Sequence, residues 1–501
     1  MLLRDILSGV KFKTADDISG LAVDRICDDS RLVRKTDLFI AVKGYSQDGS
    51  KFIDEAVSKG AGIIISEGSF RAPKGVRKIS VKDTRLALSV IASNFYNHPS
   101  VKLKVIGVTG TNGKTTVTYL MEGVIKAAGE NAGVIGTINY RLNGKALPAK
   151  NTTPGPLELQ GILSEMVNAN FRYAVMEVSS HSLDQRRVNG VLFDVGIFTN
   201  ITSDHLDYHK TAENYFKAKV KLLGLIKKGG ACVLNNDDEK VAALIRSLKN
   251  RVITYGIKKD ADVKAKDIEL SLGGSKFIAA TPAGDFQIRT TLIGMHNVSN
   301  ILACVAASSA LGLKPDSVRK GIESVSCVPG RLEPIDLGQP YKVFVDYAHT
   351  EDALFNVLGL LREAAKKNII TVFGCGGNRD KTKRPLMGKV ACKFSDRVII
   401  TSDNPRHEEP SGIIKDIEEG VRGIFNNYDI VEDRSSAIEK ALSMASAGDI
   451  VIIAGKGHES YQIIRDKVVH FDDREVASSI LKEMYEPSPS LEGKWVGRRA
   501  G

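Results

Sequence analysis

Residues 108–116 read Val108-Thr109-Gly110-Thr111-Asn112-Gly113-Lys114-Thr115-Thr116 and combine the residue types that hold a polyphosphate. Glycines let backbone N–H groups turn toward phosphate oxygens, and a following helix offers its positive end. Lys114 supplies a mobile charge, and the Thr115 hydroxyl is of the kind that ligates Mg²⁺. The segment departs from the strict P-loop spacing, because Val108 stands where the first glycine belongs and Gly107 lies one residue earlier. An ordinary strand-to-helix turn would have no need of Lys and Thr at the helix start. Further along, the apolar run 173–178 ends at Glu177-Val178-Ser179-Ser180-His181, which puts a carboxylate at a strand tip where a metal ligand of a P-loop enzyme belongs. A lone Glu there would read as a solvated cap; beside a P-loop it is a candidate for Mg²⁺. Residues 199–209 are dense in ligand types, and His205 with Asp204 is a candidate for a second divalent ion.

The elements that must position these groups divide the chain into three α/β parts. The first runs to about residue 100, with buried-strand runs at 37–42 and 61–66, and closes at the turn-rich Asn97-His98-Pro99-Ser100. The second, 101–330, alternates strand runs at 102–110, 173–178 and 193–201 with helical stretches. That alternation predicts a parallel sheet with crossover helices. The third, 331–486, carries four strand runs at 341–349, 368–376, 396–404 and 449–457, each ending at a polar or Gly-rich corner. Ligands of such sheets sit beyond the carboxyl ends of the strands. The tail 487–501 has no periodicity and is expected to fray.

Composition narrows the class. A chain of 501 residues with 43% hydrophobic and 26% charged residues has room for several cores at roughly 150 residues per domain. Lys and Arg (70) exceed Asp and Glu (59), and the resulting +11 favours anionic partners without choosing among nucleotides, phosphosugars, nucleic acid or acidic membranes. Arg4 and Asp5 interrupt any apolar leader, and the most apolar helical run, 301–313, is too short for a bilayer. Six cysteines without a C-x-x-C pair disfavour zinc and disulfide scaffolds. These features predict a protein of the reducing cytosol with no membrane span.

The ordered motifs T-G-T-N-G-K-T-T, E-V-S-S-H, D-H-L-D-Y-H, G-M-H-N-V-S-N (294–300), P-G-R-L-E (329–333), D-Y-A-H-T (346–350) and G-K-G-H-E (455–459) resemble those of the ATP-dependent Mur ligases of peptidoglycan synthesis, to which folylpolyglutamate synthetase is related. The resemblance covers roughly residues 24 to 475. It implies a central P-loop domain between an N-terminal UDP-binding domain and a C-terminal Rossmann-like domain, acting as a monomer without nucleic acid. It also implies a reaction: the γ-phosphoryl of ATP activates a carboxylate as an acyl phosphate, which an amine then attacks. By the resemblance, Gly110, Thr111, Asn112, Gly113, Lys114, Thr115 and Thr116 bind the ATP phosphates. His296, Asn297 and Asn300 meet the adenosine, Arg331 a phosphate and Asp346 the ribose. Thr115 and Glu177 hold one Mg²⁺; His205 helps hold a second, with Lys219 as a CO₂-derived carbamate. Read without the family, Lys217, Lys219 and Lys221 are equally a solvated helix face, and Asn297 and Asn300 are helix-start caps.

The outer parts are similar to the MurE type, which takes UDP-MurNAc-L-Ala-D-Glu. Ser30, Tyr45, Ser46 and Gln47 are implied to contact UDP, and Asn151, Thr152, Thr153, Ser179, Gln185 and Arg187 the sugar-peptide. Ser50 stands where the family often has His. Asp403-Asn404-Pro405-Arg406 resembles the signature of enzymes that add meso-diaminopimelate rather than L-lysine. A guanidinium can clamp the distal carboxylate that lysine lacks. Arg379, Gly455 and Glu459 carry over as further contacts to this amino acid. A lysine-adding ligase, a folylpolyglutamate synthetase and, from another class, a nucleic-acid-stimulated ATPase are the alternatives. The last would need a basic stripe with stacking aromatics, whereas the charge here is dispersed.

Overall fold

The computed structural model describes residues 1–44, 47–68, 75–142, 144–202 and 204–485, so Tyr45, Ser46 and the tail lie outside the described residues. Strand alternation builds the central layer. Along Lys104–Thr109 the side chains of Ile106 and Val108 face helices Lys114–Ala127 and Met295–Ala310. Val105 points the other way, toward helix Pro156–Asn168. Tyr173 and Val175, against Ala174 and Met176, repeat that division on the neighbouring strand Tyr173–Glu177. This two-fold period buries both faces, as a parallel sheet under crossover helices requires.

The sheet has eleven strands. Lys104–Thr109 lies between Tyr173–Glu177 and Phe193–Phe198, all parallel, and the parallel pairing extends from Ala132–Ile135 to Val263–Ser271. Both edges are antiparallel, which departs from the parallel sheet expected from the sequence. At one edge Val263–Ser271, Gly274–Ala280 and Phe286–Thr290 form a meander; at the other Asn139–Leu142 and Lys145–Pro148 form a hairpin. Connections of two to five residues cannot cross over, so these strands must pair antiparallel.

The N-terminal sheet has five strands, and its helix Thr84–Phe95 packs on Pro156–Asn168 of the central unit. Ser89 donates to the Arg186 carbonyl, and Arg186 pairs with Asp83 at 2.9 Å. Between the two units, the Asn97–Ser100 corner turns through positive φ at Asn97 and His98 and opens a short helix, Pro99–Lys102, before the first central strand. The C-terminal sheet has six strands, five of them parallel: Lys342–Asp346, Ile450–Ala454, Ile369–Phe373, Arg397–Ile400 and Tyr428–Ile430, in that spatial order. A three-part α/β architecture is therefore present, with each sheet buried on its own core. Among the described residues no helix is long and apolar enough to cross a membrane, and all six cysteines are unpaired.

Ile453 is fully buried in the second of these parallel strands. Ile453→Ala is expected to lower unfolding stability by about 2–5 kcal/mol through loss of burial and a residual cavity. Urea denaturation measures this, and a change below about 1 kcal/mol would mean that the core closes over the gap.

Candidate active site

The strand order sets the site. Glu177 lies level with Val108, and Phe198 with Thr109, so three strand ends meet where the Gly110–Gly113 loop leaves the sheet. Gly110 (φ 142°) and Gly113 (φ 88°) take conformations that side chains avoid. A Cβ on Gly110 would fall 1.9 Å from Thr199 Oγ1, and one on Gly113 would fall 2.2 Å from Asn300 Oδ1. The loop is thus held closely between the Thr199 corner and helix Met295–Ala310. Thr199 Oγ1 donates to the Asn112 carbonyl at 2.6 Å, and Asn112 N–H donates to Asn200 Oδ1 at 2.9 Å. Lys114 begins the helix and folds back, its Nζ donating to the carbonyls of Gly110 (3.0 Å) and Thr111 (2.9 Å).

The buried Glu177 carboxylate accepts from Thr115 Oγ1 at 3.0 Å and from Thr137 N–H and Oγ1 at 2.9 Å each. Arg331 reaches Thr115 Oγ1 at 3.4 Å from the C-terminal unit. Thr115 and Glu177 together present the hard oxygen donors that Mg²⁺ takes. Among the described residues no group of three or more His, Cys, Asp or Glu is placed to hold a metal by itself. Thr115 and Glu177 alone therefore do not make a closed metal site. Sequence reasoning missed Thr137. It follows the end of Ala132–Ile135, which pairs with the strand of Glu177, and only the sheet order reveals that adjacency.

Lys217 and Lys219 lie on helix Ala212–Val220 and Lys221 just beyond it, and the three separate. Lys217 is exposed and pairs with Glu213, and Lys221 pairs with Asp184, whereas Lys219 is 1% exposed. Its Nζ donates to the Gly110 carbonyl at 2.6 Å and lies 4.6 Å from the Tyr215 ring, with no carboxylate in ion-pair range among the described residues. Burial, with Lys114 nearby, holds its pKa well below the usual lysine value against a smaller opposing pull from Asp204. Beside it His205 adopts φ 53°, with Nε2 3.5 Å from Asp204 Oδ2 and its ring 4.8 Å from that of His181. Burial draws the pKa of His205 and of His209 down to about 4, so both imidazoles are neutral at pH 7, and His209 Nε2 is hydrogen-bonded with Ser180 Oγ at 3.0 Å.

A cavity of about 390 Å³ lies between the central and C-terminal units. The P-loop, Glu177, His205, Lys219, His296, Asn297 and Asn300 line one side, and Arg331, Asp346, Tyr347 and His349 the other. Asn297 and Asn300 sit within the first turns of their helix, joined by an Asn300 Nδ2 to Asn297 Oδ1 bond of 3.2 Å; they are not caps. Arg331 lies over the Tyr347 ring at 4.7 Å. Asp346 accepts from the N–H groups of Leu332 (2.7 Å) and Ala348 (2.8 Å), so it ties the Arg331 corner to its own strand end. Asp352, also missed from sequence, accepts from Asn112 Nδ2 (2.9 Å) and Thr202 Oγ1 (3.3 Å), joining the P-loop to the C-terminal unit.

A second cavity, about 750 Å³, shares Asp204, His205, Tyr347, His349 and Thr350 with the first. Arg379, Asp403, Asn404, Arg406, Gly455 and Glu459 line its far part. Asn404 Nδ2 donates to Glu459 Oε2 at 2.8 Å, and Arg406 Nη1 donates to the Gly377 carbonyl at 2.9 Å. Among the described residues neither Arg379 nor Arg406 has a carboxylate partner. Burial, then the adjacent Arg379, lowers the pKa of Arg406; burial, then Asp403, raises that of Glu459. Pro405 is not among the lining residues and serves the turn, its carbonyl accepting from Glu408 N–H at 3.1 Å.

The remaining residues fall into a third group. Thr152 and Ser179 border the first cavity. Thr153 Oγ1 donates to the Glu177 carbonyl at 2.9 Å, and Arg187 donates to the Thr153 carbonyl at 3.0 Å and to Gln185 Oε1 at 2.7 Å. Asn151 and Gln47 are exposed. Ser30 belongs to the N-terminal unit, where its hydroxyl donates to Glu55 Oε2 at 2.6 Å.

A P-loop at the fork of a largely parallel sheet, completed across a cleft by a Rossmann-like unit, defines a nucleotide-dependent enzyme that handles a second, charged substrate. The Mur ligase middle domain matches residues 108–308, the Mur ligase glutamate ligase domain 330–457, and the Mur ligase family catalytic domain 23–96. The chain belongs to the Mur ligase family. It is 45% identical over 487 residues (96% of this chain, 99% of the relative) to the UDP-N-acetylmuramoyl-L-alanyl-D-glutamate--2,6-diaminopimelate ligase of Caldanaerobacter subterraneus subsp. tengcongensis. It is 44% identical (97% and 100%) to ligase 1 of that name from Clostridium acetobutylicum. A solved structure of an enzyme of that name superposes with TM-score 0.67 at 31% identity, covering 95% of this chain and 100% of the other.

Gly113→Ala tests the loop. The strained φ and the collision with Asn300 are expected to weaken ATP binding by at least about tenfold, on the order of 1.4 kcal/mol. Calorimetric titration with ATP measures it, and unchanged affinity would show that the loop yields.

Proposed function

We propose that the chain is an ATP-dependent ligase that joins meso-diaminopimelate to the γ-carboxylate of D-Glu in UDP-MurNAc-L-Ala-D-Glu, giving the tripeptide, ADP and phosphate. The observation that carries this reading is the pair Arg379 and Arg406, which among the described residues have no carboxylate in ion-pair range, lining with Asp403 and Glu459 a cavity that shares a wall with the P-loop cavity. A distal carboxylate and a distal ammonium together match that arrangement; lysine offers only the second.

A carboxylate repels nucleophiles and has no leaving group, and phosphorylation removes both obstacles. Here Lys114, Arg331 and the loop N–H groups hold the phosphates of ATP so that the γ-phosphorus faces the carboxylate. His296, Asn297 and Asn300 take the adenosine, and Asp346 is placed for the ribose. Thr152, Thr153, Ser179, Gln185 and Arg187 guide the sugar-peptide from the N-terminal unit, where Ser30 and Gln47 would receive UDP. Thr115 and Glu177 would hold one Mg²⁺, and His205 with a carbamylated Lys219 a second, both neutralising charge on the phosphates when bound. The buried, weakly basic Lys219 suits that modification, since a neutral amine adds CO₂ and releases a proton to become an anionic carbamate. His349, Tyr347 and Asp204 border both cavities, where the amine of diaminopimelate must meet the acyl phosphate.

Purified protein given ATP and UDP-MurNAc-L-Ala-D-Glu is expected to release phosphate with meso-diaminopimelate and roughly 10⁴-fold less efficiently with L-lysine. Comparable kcat/KM for the two would overturn the specificity. Arg406→Ala is expected to raise KM for diaminopimelate while ATP still phosphorylates the carboxylate; loss of phosphoryl transfer would contradict its assignment. ¹³C NMR under ¹³CO₂ should show one carbamate signal that Lys219→Met abolishes. A signal surviving in that variant would place the carbamate elsewhere.

A further inference from the structure

Helix Arg434–Met444 begins with an arginine, and helix Asp473–Tyr485 with an aspartate; both side chains have no exposure. A cation at the first position of a helix opposes the helix dipole, and burial adds a desolvation cost. The pair compensates through geometry. Arg434 Nε and Nη2 each donate to a different Asp473 oxygen at 2.7 Å. Nη2 also donates to the Ala454 carbonyl at 3.0 Å, and Nη1 to the Ser402 carbonyl at 3.3 Å.

Those two carbonyls stand where the chain leaves strands Ile450–Ala454 and Arg397–Ile400, which are separated in the sheet by Ile369–Phe373. The segment after Ser402 is Asp403-Asn404-Pro405-Arg406, and the segment after Ala454 runs from Gly455 to Glu459. One planar fork therefore spans a strand and fixes the separation of the two corners that line the second cavity. Apolar residues of similar volume often replace a buried ion pair without loss of stability. Stability by itself thus gives no reason for a charge here, whereas the fixed angles of a guanidinium do.

We propose that Arg434, anchored by Asp473, is a positioning residue of the amino-acid pocket: it sets the spacing of Arg406 and Asp403 against Glu459 and so the discrimination between amino acids. This rests on reading that cavity as the diaminopimelate pocket. The test is steady-state kinetics on the full chain with Arg434→Lys and with the apolar pair Arg434→Met/Asp473→Leu, alongside thermal unfolding. Arg434→Lys retains a buried cation opposite Asp473 and keeps the test open if the apolar pair does not fold. Folded variants are expected to show KM for diaminopimelate raised roughly tenfold or more, the cost of an ångström-scale misplacement, and a reduced preference over lysine. KM for ATP, bound at a separate set of residues, should stay within about twofold. A folded variant with wild-type KM and preference would overturn the proposal. A wild-type protein that turns over no diaminopimelate would instead overturn the reading of the pocket, and this proposal with it.

Discussion

Two lysine ammonium groups converge on one carbonyl. Lys114 and Lys219 both donate to the oxygen of Gly110, at 3.0 and 2.6 Å. Two ammonium groups so placed would repel, which with burial favours the neutral amine at Lys219, and the loop cannot spread, because Gly110 is pressed against Thr199 and Gly113 against Asn300. The arrangement becomes favourable when anionic phosphate draws Lys114 outward, and when Lys219 is neutral or has become an anion. The corner is in this sense built for a polyanion.

The rest of the molecule follows from having to bring a second and third anion to the same place. Each sheet delivers its polar groups at the carboxyl ends of its strands, and the central and C-terminal sheets face each other across those ends. Asp346, Arg331 and Asp352 sit where the two units meet. Asp346 spends its oxygens on holding the Arg331 corner, and Asp352 ties that unit to Asn112 of the P-loop. On the proposed reading, phosphoryl transfer and amine attack fall in adjoining cavities with a shared wall, so the activated carboxylate need not travel. The net charge of +11 gains a local meaning at Lys114, Arg187, Arg331, Arg379 and Arg406, though these five do not account for the whole excess.

Local signals were legible in the sequence. A glycine-rich loop after an apolar run and a carboxylate closing the next strand announce themselves by residue type and spacing, the Asp403–Arg406 segment stands out only through its resemblance to the family signature, and the three-part α/β division follows from periodicity. What was not legible depends on tertiary placement. Nothing local distinguishes Lys219 from Lys217 and Lys221; only packing against Tyr215 and the loop buries one of them. Thr137 joins Glu177 through sheet order, and Asp352 joins Asn112 across 240 positions of chain. The antiparallel edges were missed because their partly exposed strands carry a weaker apolar pattern than the buried core. Nothing in the sequence singles out Arg434; its burial against Asp473 reveals the fork.

The central claim is that the carboxylate becomes an acyl phosphate at the Gly110 corner before the amine attacks. When the amine displaces phosphate, the bridging oxygen of the acyl phosphate leaves with phosphorus. With ¹⁸O in both oxygens of the D-Glu γ-carboxylate, mass spectrometry of the phosphate released during turnover with ATP and diaminopimelate should find one ¹⁸O for each peptide bond formed. Unlabelled phosphate, with the peptide made, would contradict the account.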